Sequence, residues 1–309
     1  MMRTDLRAAN VSLKHVRSIK TFNMTSLRDE LTVVTAFFDI GTFKKGNELF
    51  ARSAASYWEW VKTFAHLENP VVIYVDDNDA DYERALAIRY SLKRLRKLTR
   101  VHRLRRREMW SFSLEPKIRR LFDQPGYPKH RPNTIDPSYA MAVRAKYEVE
   151  RMAASENHFR SRYFCWADVR LLCDKPTACA DVGSGRIKFY PPDDFRSDSL
   201  AVNQIDESST EHGNLTARTI VYENLNWLGG GLLIGRVDVM DGFTSEYMSA
   251  VERMIDDGLM SADQQVLHAL FKTMKHGRGC KSAMGGGGGT ICETWRSKPI
   301  GRGWNASRM

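Results

Sequence analysis

Cysteine is scarce and unpatterned in this chain of 309 residues. The five present, Cys165, Cys173, Cys179, Cys280 and Cys292, are odd in number and none is spaced C-x-x-C. That argues against a disulfide framework or a structural zinc site and fits a reducing compartment. Long apolar runs are absent too: no stretch approaches the roughly 20 residues a membrane helix needs, so no transmembrane segment is expected. The first thirty residues carry Arg3, Arg7, Lys14, Arg17, Lys20 and Arg28 but no apolar core of a secretory signal. A flexible basic N-terminal segment over 1–30 and a cytoplasmic location are expected, with an organelle transit peptide as the alternative. Without secretion, the sequons at Asn10, Asn23, Asn214 and Asn305 are chance matches. There is no internal repeat, no P-loop, no G-x-G-x-x-G, no G-x-S-x-G elbow and no H-E-x-x-H, which removes the commonest nucleotide and hydrolase signatures.

Negative charge is also in deficit, and the deficit is local. The 47 Lys and Arg against 37 Asp and Glu leave a net charge of +10. Residues 89–107, RYSLKRLRKLTRVHRLRRR, hold ten basic residues and no acid, and without them the rest of the chain is balanced. Leu92, Leu95, Leu98, Val101 and Leu104 recur at three-residue intervals through the segment and pin it to a core. Its charges then form a solvated face, steer an anionic ligand, or contact a larger polyanion.

With 42% hydrophobic and 27% charged residues the chain is an ordinary folded protein of one large domain or two small ones. LTVVTAFFDI (31–40) and PVVIYVDD (70–77) are buried strands, and LTRVHRLRR gives a short third. Helical patterns separate them, at about 47–66 and from DNDADYERALAIRY onward. Strand, helix, strand, helix, strand within about 75 residues is the mark of a parallel α/β sheet, because parallel neighbours need crossover helices. A ligand is therefore expected at the carboxyl ends of the strands. Further on, 123–138 is a loop with Pro125, Pro128, Pro132 and Pro137, 138–154 a helix, and RYFCWADVRLL a strand. A polar stretch from about 191 to 218 reads as a long loop or lid, TIVYENLNWLGGGLLIG as strand, and 244–257 and 261–274 as helices. The five successive glycines at 285–289 mark a Gly-rich C-terminal tail, 276–309.

Three features carry candidate chemistry. Asp168 interrupts an apolar strand-like run, where a buried carboxylate needs a partner. It stands at a strand end facing a cleft as a ligand or metal site, or it caps the next turn or pairs with Arg170 or Arg162. Gly229, Gly230 and Gly231 lie inside a strand, which marks close approach of a ligand or another backbone, or tight packing. Ser261 and Gln264 form a capping box with Asp263 in the first turn, a sufficient structural account of all three. Among lesser signals, Asp76 and Asp77 end a strand but cap a helix by default, and Lys146 with Glu150 is an i,i+4 pair.

In order, VVTAFFDIG, YWEWV, PVVIYVDD, the helix containing Lys146, YFCWADVRLL, NWLGGGLLIG and DQQVL resemble the HtrL/YibB family over roughly residues 31–275. The resemblance implies a single GT-A-like (Rossmann-like) α/β domain, a mixed sheet flanked by helices, and a glycosyltransferase that moves a sugar from a nucleotide-sugar donor to an unknown glycan or small-molecule acceptor. It implies a divalent cation, Mn or Mg, held by Asp168, although WADVR supplies one acid where such enzymes commonly carry Asp-x-Asp. Arg170 is the alternative positive charge. Donor contacts fall to Thr35, Asp76, Lys146, Gly229, Gly230, Gly231 and Arg170. Catalytic roles fall to Asp263, a candidate base, and Gln264. His276 faintly matches a late metal-assisting histidine. A nucleic acid is not an expected partner under this reading. The rival is a non-catalytic binding protein using 89–107 on RNA or an anionic surface, and a third reading is an inactive fold kept as an interaction module.

Overall fold

The structure, a computed structural model, describes residues 31–45, 51–171, 186–191, 195–205, 215–273, 280–281 and 291–296. The basic N-terminal segment, His276 and the run of five glycines lie outside them. In chain order the elements are β1 (Leu31–Phe37), β2 (Phe43–Lys44), β3 (Ala51–Arg52), α1 (Ala54–Val61), β4 (Val71–Asp76), α2 (Asp79–Tyr90), β5 (Thr99–Leu104), α3 (Trp110–Ser113), α4 (Glu115–Phe122), α5 (Pro137–Glu156), β6 (Tyr163–Ala167), β7 (Ser199–Gln204), α6 (Ala217–Tyr222), β8 (Leu228–Arg236), α7 (Val237–Asp256), α8 (Asp263–Thr273), β9 (Cys280–Lys281) and β10 (Ile291–Arg296).

The main sheet runs β5-β4-β1-β6-β8-β7-β10-β9. Its first four strands are parallel, as the alternation of apolar runs and helical patterns predicts, and β8 then enters antiparallel to β6. The fold is therefore mixed α/β, with helices on both faces. Val34 of β1 and Phe38 just after it point into a core shared with α4, α5, α7 and α8, whereas Val33 and Phe37 point into one shared with α1 and α2. A strand buried on both faces reads as a continuous apolar run, which is why β1 and β4 are recognisable from composition alone.

Several boundaries differ from expectation. The first helix starts at Ala54, because Ser53 accepts a bond from the Ser56 amide, and it continues as a 3-10 turn to His66. The polar stretch read as a lid contains β7, a buried inner strand of the sheet. TIVY is helical rather than extended, since Thr216 caps α6 and Ile220 and Val221 are buried on it. The stretch expected to be tail contributes β9 and β10, which extend the sheet beyond β7.

Four of the ten basic residues in the segment pair with acids from elsewhere in the fold. Arg89 is fully buried and donates to the carbonyls of Phe64, Leu67 and Asn69 and to the Thr99 hydroxyl, so it is a strut rather than surface charge. Burial pushes its guanidinium down to about 9. Arg94 pairs with Glu68, Arg103 with Asp79, Arg105 with Asp77 and Glu108, and Arg106 with Asp76. A positive face that reads as continuous in sequence is thus interleaved with carboxylates in space. Among the described residues no helix is long and apolar enough to cross a membrane.

Candidate functional site

A cleft opens at the carboxyl ends of β1 and β6, the end of a parallel sheet where ligands bind. The end of β1 and the following Phe38 and Asp39 form its floor with Trp166 and Asp168 of the β6 end. Tyr139, Val143 and Lys146 of α5 form one wall, and Ala54 and Tyr57 of α1 the other.

The chemistry centres on Lys146. Its Nζ donates to the Gly230 carbonyl at 2.7 Å and to Asp263 Oδ2 at 2.6 Å, and both members of the ion pair are almost wholly buried. This pair joins α5 to the first turn of α8 across the glycine strand, over 117 residues of chain. The Lys146 and Glu150 pair expected on α5 is not formed. The capping box is not formed either: α8 begins at Asp263, and the buried Ser261 hydroxyl donates to Gln265 instead of closing on Gln264. The segment before α8 is held from outside, by Tyr127, whose hydroxyl donates to the Met260 carbonyl and accepts from its amide, and by Arg144, which donates to the Ser261 carbonyl. These tertiary bonds set where Asp263 lies.

The three glycines divide by role. A Cβ on Gly230 would meet Asp263 Oδ2 at 1.9 Å and Lys146 Nζ at 2.5 Å, so the ion pair itself requires glycine there. A Cβ on Gly229 would meet Asn203 Nδ2 at 2.3 Å, and nothing lies within 4 Å of one on Gly231. The Gly231 carbonyl accepts from the Asp168 amide at 2.9 Å, which brings the acid to the open part of the strand. Asp168 lines the cleft, half-buried, as expected at a strand end. One of its oxygens also accepts from the Arg170 amide at 3.0 Å, so it caps the turn as well.

Residues with no signal of their own in the sequence complete the cleft. Lys45 Nζ donates to the Tyr139 hydroxyl at 2.9 Å, and burial lowers its pKa against the pull of Tyr57, Asp168 and Asp263. Burial and then the Asp168 carboxylate push the Tyr57 phenol up to about 12. Asp39, Asp168, Lys146, Tyr57 and Tyr139 therefore line one space, and Lys45 and Asp263 are bonded to that lining from behind. Tyr57 and Tyr139 read as ordinary core positions at helical spacing, and nothing local distinguishes them from such.

Other candidates lie elsewhere. Asp76 holds Arg106 with both oxygens and accepts from the Asp39 amide at 2.9 Å, so it fixes the cleft's Asp39 loop from behind. The Arg170 guanidinium sits over the Trp60 ring, 5.2 Å from its centre. Thr35 is fully buried in β1 and does not line the cleft. Gln264 is half-buried beside Asp263. Among the described residues Asp168 belongs to no group of three metal-ligating side chains. Among the described residues the carboxylates lining the cleft are Asp168 and Asp39, a sparse set that suits an ion held mainly by diphosphate oxygens and water, as magnesium is.

Glu150, one turn beyond Lys146, is fully buried and neither oxygen has a well-formed hydrogen bond. Burial pushes its carboxyl from an ordinary 4.5 up to about 8, although the Trp166 main chain and Lys146 pull it down. Between those values the folded chain keeps a proton that the unfolded chain has released, so stability falls as pH rises through the window. Glu150→Gln, an isostere of the neutral acid, is expected to flatten that slope and to melt above the parent at pH 8. Thermal melts from pH 4.5 to 8 check this, and an unchanged profile removes Glu150 as the responsible group.

The fold and cleft together define a mixed α/β protein with a charged site at the carboxyl ends of its parallel strands. A family model described as a bacterial protein of unknown function, HtrL_YibB, matches residues 29–275, and the chain belongs to this family. No curated protein matches. Among solved structures, an active-site mutant of LgtC superposes with a TM-score of 0.39 at 13% identity, over 77% of this chain and 69% of that one. The galactosyltransferase LgtC with donor and acceptor sugar analogues gives 0.38 at 12%, over 77% and 70%. Likeness of this extent carries no argument about activity.

Proposed function

We propose that this protein is a nucleotide-sugar-dependent glycosyltransferase whose donor occupies the cleft between the end of β6, the glycine strand β8 and α5. The observation that carries the reading is the convergence of Asp168, Lys146, Asp263 and the open edge at Gly231. These residues are far apart in sequence and meet at the sheet end where α/β proteins take ligands. The family resemblance supports the same assignment.

In this reading Asp168 would hold a divalent cation, Mg or Mn, which supplies positive charge to the departing diphosphate. Lys45 adds fixed positive charge in a half-dry site, where it is worth more than in water. The bare strand at Gly231 leaves room for the sugar against the main chain. Asp263 would act as base toward an acceptor hydroxyl once substrate draws Lys146 away, with Gln264 beside it. Thr35, Asp76 and Arg170 then serve the site by shaping it.

Thermal melts with a panel of nucleotide sugars, with Mg or Mn present, test the reading. One donor is expected to raise the melting temperature and to be hydrolysed slowly without acceptor, and Asp168→Asn to abolish both. If no nucleotide sugar shifts the melt and Asp168→Asn behaves as the parent, the proposal fails.

A further inference from the structure

The far end of α5 carries a second cluster. His102 lies in the middle of β5, the edge strand of the parallel half; Glu156 is the last residue of α5; and His158 follows its cap. Ten residues of helix separate Glu156 from Lys146, about 15 Å at the α-helical rise, so this cluster is separate from the cleft.

We propose that His102, Glu156 and His158 form a binding site for a divalent transition-metal ion, with zinc the best match to the ligand set. One ligand atom from each residue lies within 4.8 Å of the other two. Glu156 Oε2 is 2.8 Å from His158 Nε2 and 3.8 Å from His102 Nε2. Bonds of the usual zinc length place tetrahedral ligand atoms roughly 3.3 Å apart, between those two separations. The two imidazole nitrogens lie within 4.8 Å of each other, so an ion that seats against Glu156 draws the two rings together.

Three further observations favour a ligand over a plain surface cluster. His102 Nε2 is shielded from water and has no hydrogen-bond partner, a cost that a metal bond removes. Its ring packs on the Tyr74 ring at 5.1 Å, which fixes it, and stacks on the His158 ring at 5.3 Å and 14°; stacked imidazoles hold their lone pairs parallel, so the exposed His158 ring turns to share an ion. The turn bearing His158 is also fixed. Asn157 is left-handed, and its side chain bonds both the amide and the carbonyl of Ser161, whose hydroxyl accepts from Thr32 of β1. The main chain bearing the ligands and the His102 ring are thus held by the fold, and the His158 side chain is what turns on binding.

Two imidazoles and one carboxylate are borderline ligands that suit zinc over magnesium or calcium. All three side chains are partly exposed, at 27%, 40% and 33%, which leaves the fourth position to water or an outside ligand. A bound ion would staple the edge strand β5 to the end of α5. The scarcity of patterned cysteine does not speak to a site built from histidine and glutamate, and the 53 residues between His102 and Glu156 give it no motif.

The test uses the full chain without a histidine tag, titrated with zinc by calorimetry and with cobalt by its visible absorption. One ion per chain is expected, with the intense bands of a tetrahedral cobalt site. His102→Ala and His158→Ala should each weaken binding by more than about 100-fold, beyond the loss typical of residues that merely support a ligand. Zinc should raise the melting temperature of the parent and of neither variant. Metal-free melts establish that the variants fold, and the more exposed His158→Ala decides the matter if His102→Ala does not. The proposal is overturned if no saturable binding occurs, or if zinc binds the parent and His158→Ala equally, as binding through cysteines would.

Discussion

Lys146→Ala is expected to destabilise the fold by about 3–5 kcal/mol, the usual consequence of leaving a buried charge without its partner. Asp263 would keep a carboxylate that is 6% exposed and has lost its bonded counter-charge, with only the longer-range pull of Lys45 and Arg144 left, and the Gly230 carbonyl would lose its ammonium donor. Asp263→Leu should be comparably harmful, because it strands Lys146. The double variant, Lys146→Met with Asp263→Leu, is expected to recover much of either loss, since an apolar pair of similar volume replaces a buried ion pair at little net cost. Urea denaturation of the parent, both single variants and the double variant measures this. Losses that simply add, or single losses below about 1 kcal/mol, would mean the pair behaves like a solvated surface bridge. Under the proposed function the double variant stays inactive although it folds, which separates the pair's contribution to stability from its contribution to chemistry.

Gly230→Ala is expected to be the most damaging substitution in the glycine strand, at about 1–3 kcal/mol or more. The added methyl would fall on Asp263 Oδ2, and neither Asp263 nor Lys146 can retreat without breaking the pair. Gly229→Ala should be intermediate. It presses on Asn203, whose side-chain oxygen accepts from the Leu232 amide and must swing to make room. Gly231→Ala should change stability by less than about 0.5 kcal/mol, because open space surrounds the position. If a donor sugar lies against this edge, Gly231→Ala or a larger side chain reduces nucleotide-sugar affinity while the melting temperature stays put. Melting the three alanine variants in parallel tests the order, and a flat series would show that the strand shifts to accommodate any of them.

Much of the parallel half of the sheet is visible in composition. β1 and β4 are apolar on both faces, and α2 is capped by Asn78, whose side chain accepts from the Asp81 amide. Legibility fades where a residue's role depends on distant chain. SLAVNQ sits in a polar stretch and reads as loop, yet neighbours on both sides make it the strand β7. TIVY is β-branched and reads as strand, yet a threonine cap and burial against the core make it helix. In each case tertiary burial overrides a weak local preference. The charge run misleads for the same reason, since the acids that answer Arg94, Arg103, Arg105 and Arg106 come from other elements.

The sequence by itself determined the α/β class, the parallel strands, the strand-end position of Asp168 and the local origin of the positive charge. These follow from periodicity and composition, which are properties of neighbouring residues. Only the tertiary structure decided that Lys146 turns from Glu150 to Asp263, that Gly230 is small for the sake of that pair, that Arg89 is a strut, and that two histidines and a glutamate meet beyond α5. Buried charges take whichever partner the packing supplies, because in a dry interior an unmet charge costs more than a short-range preference offers.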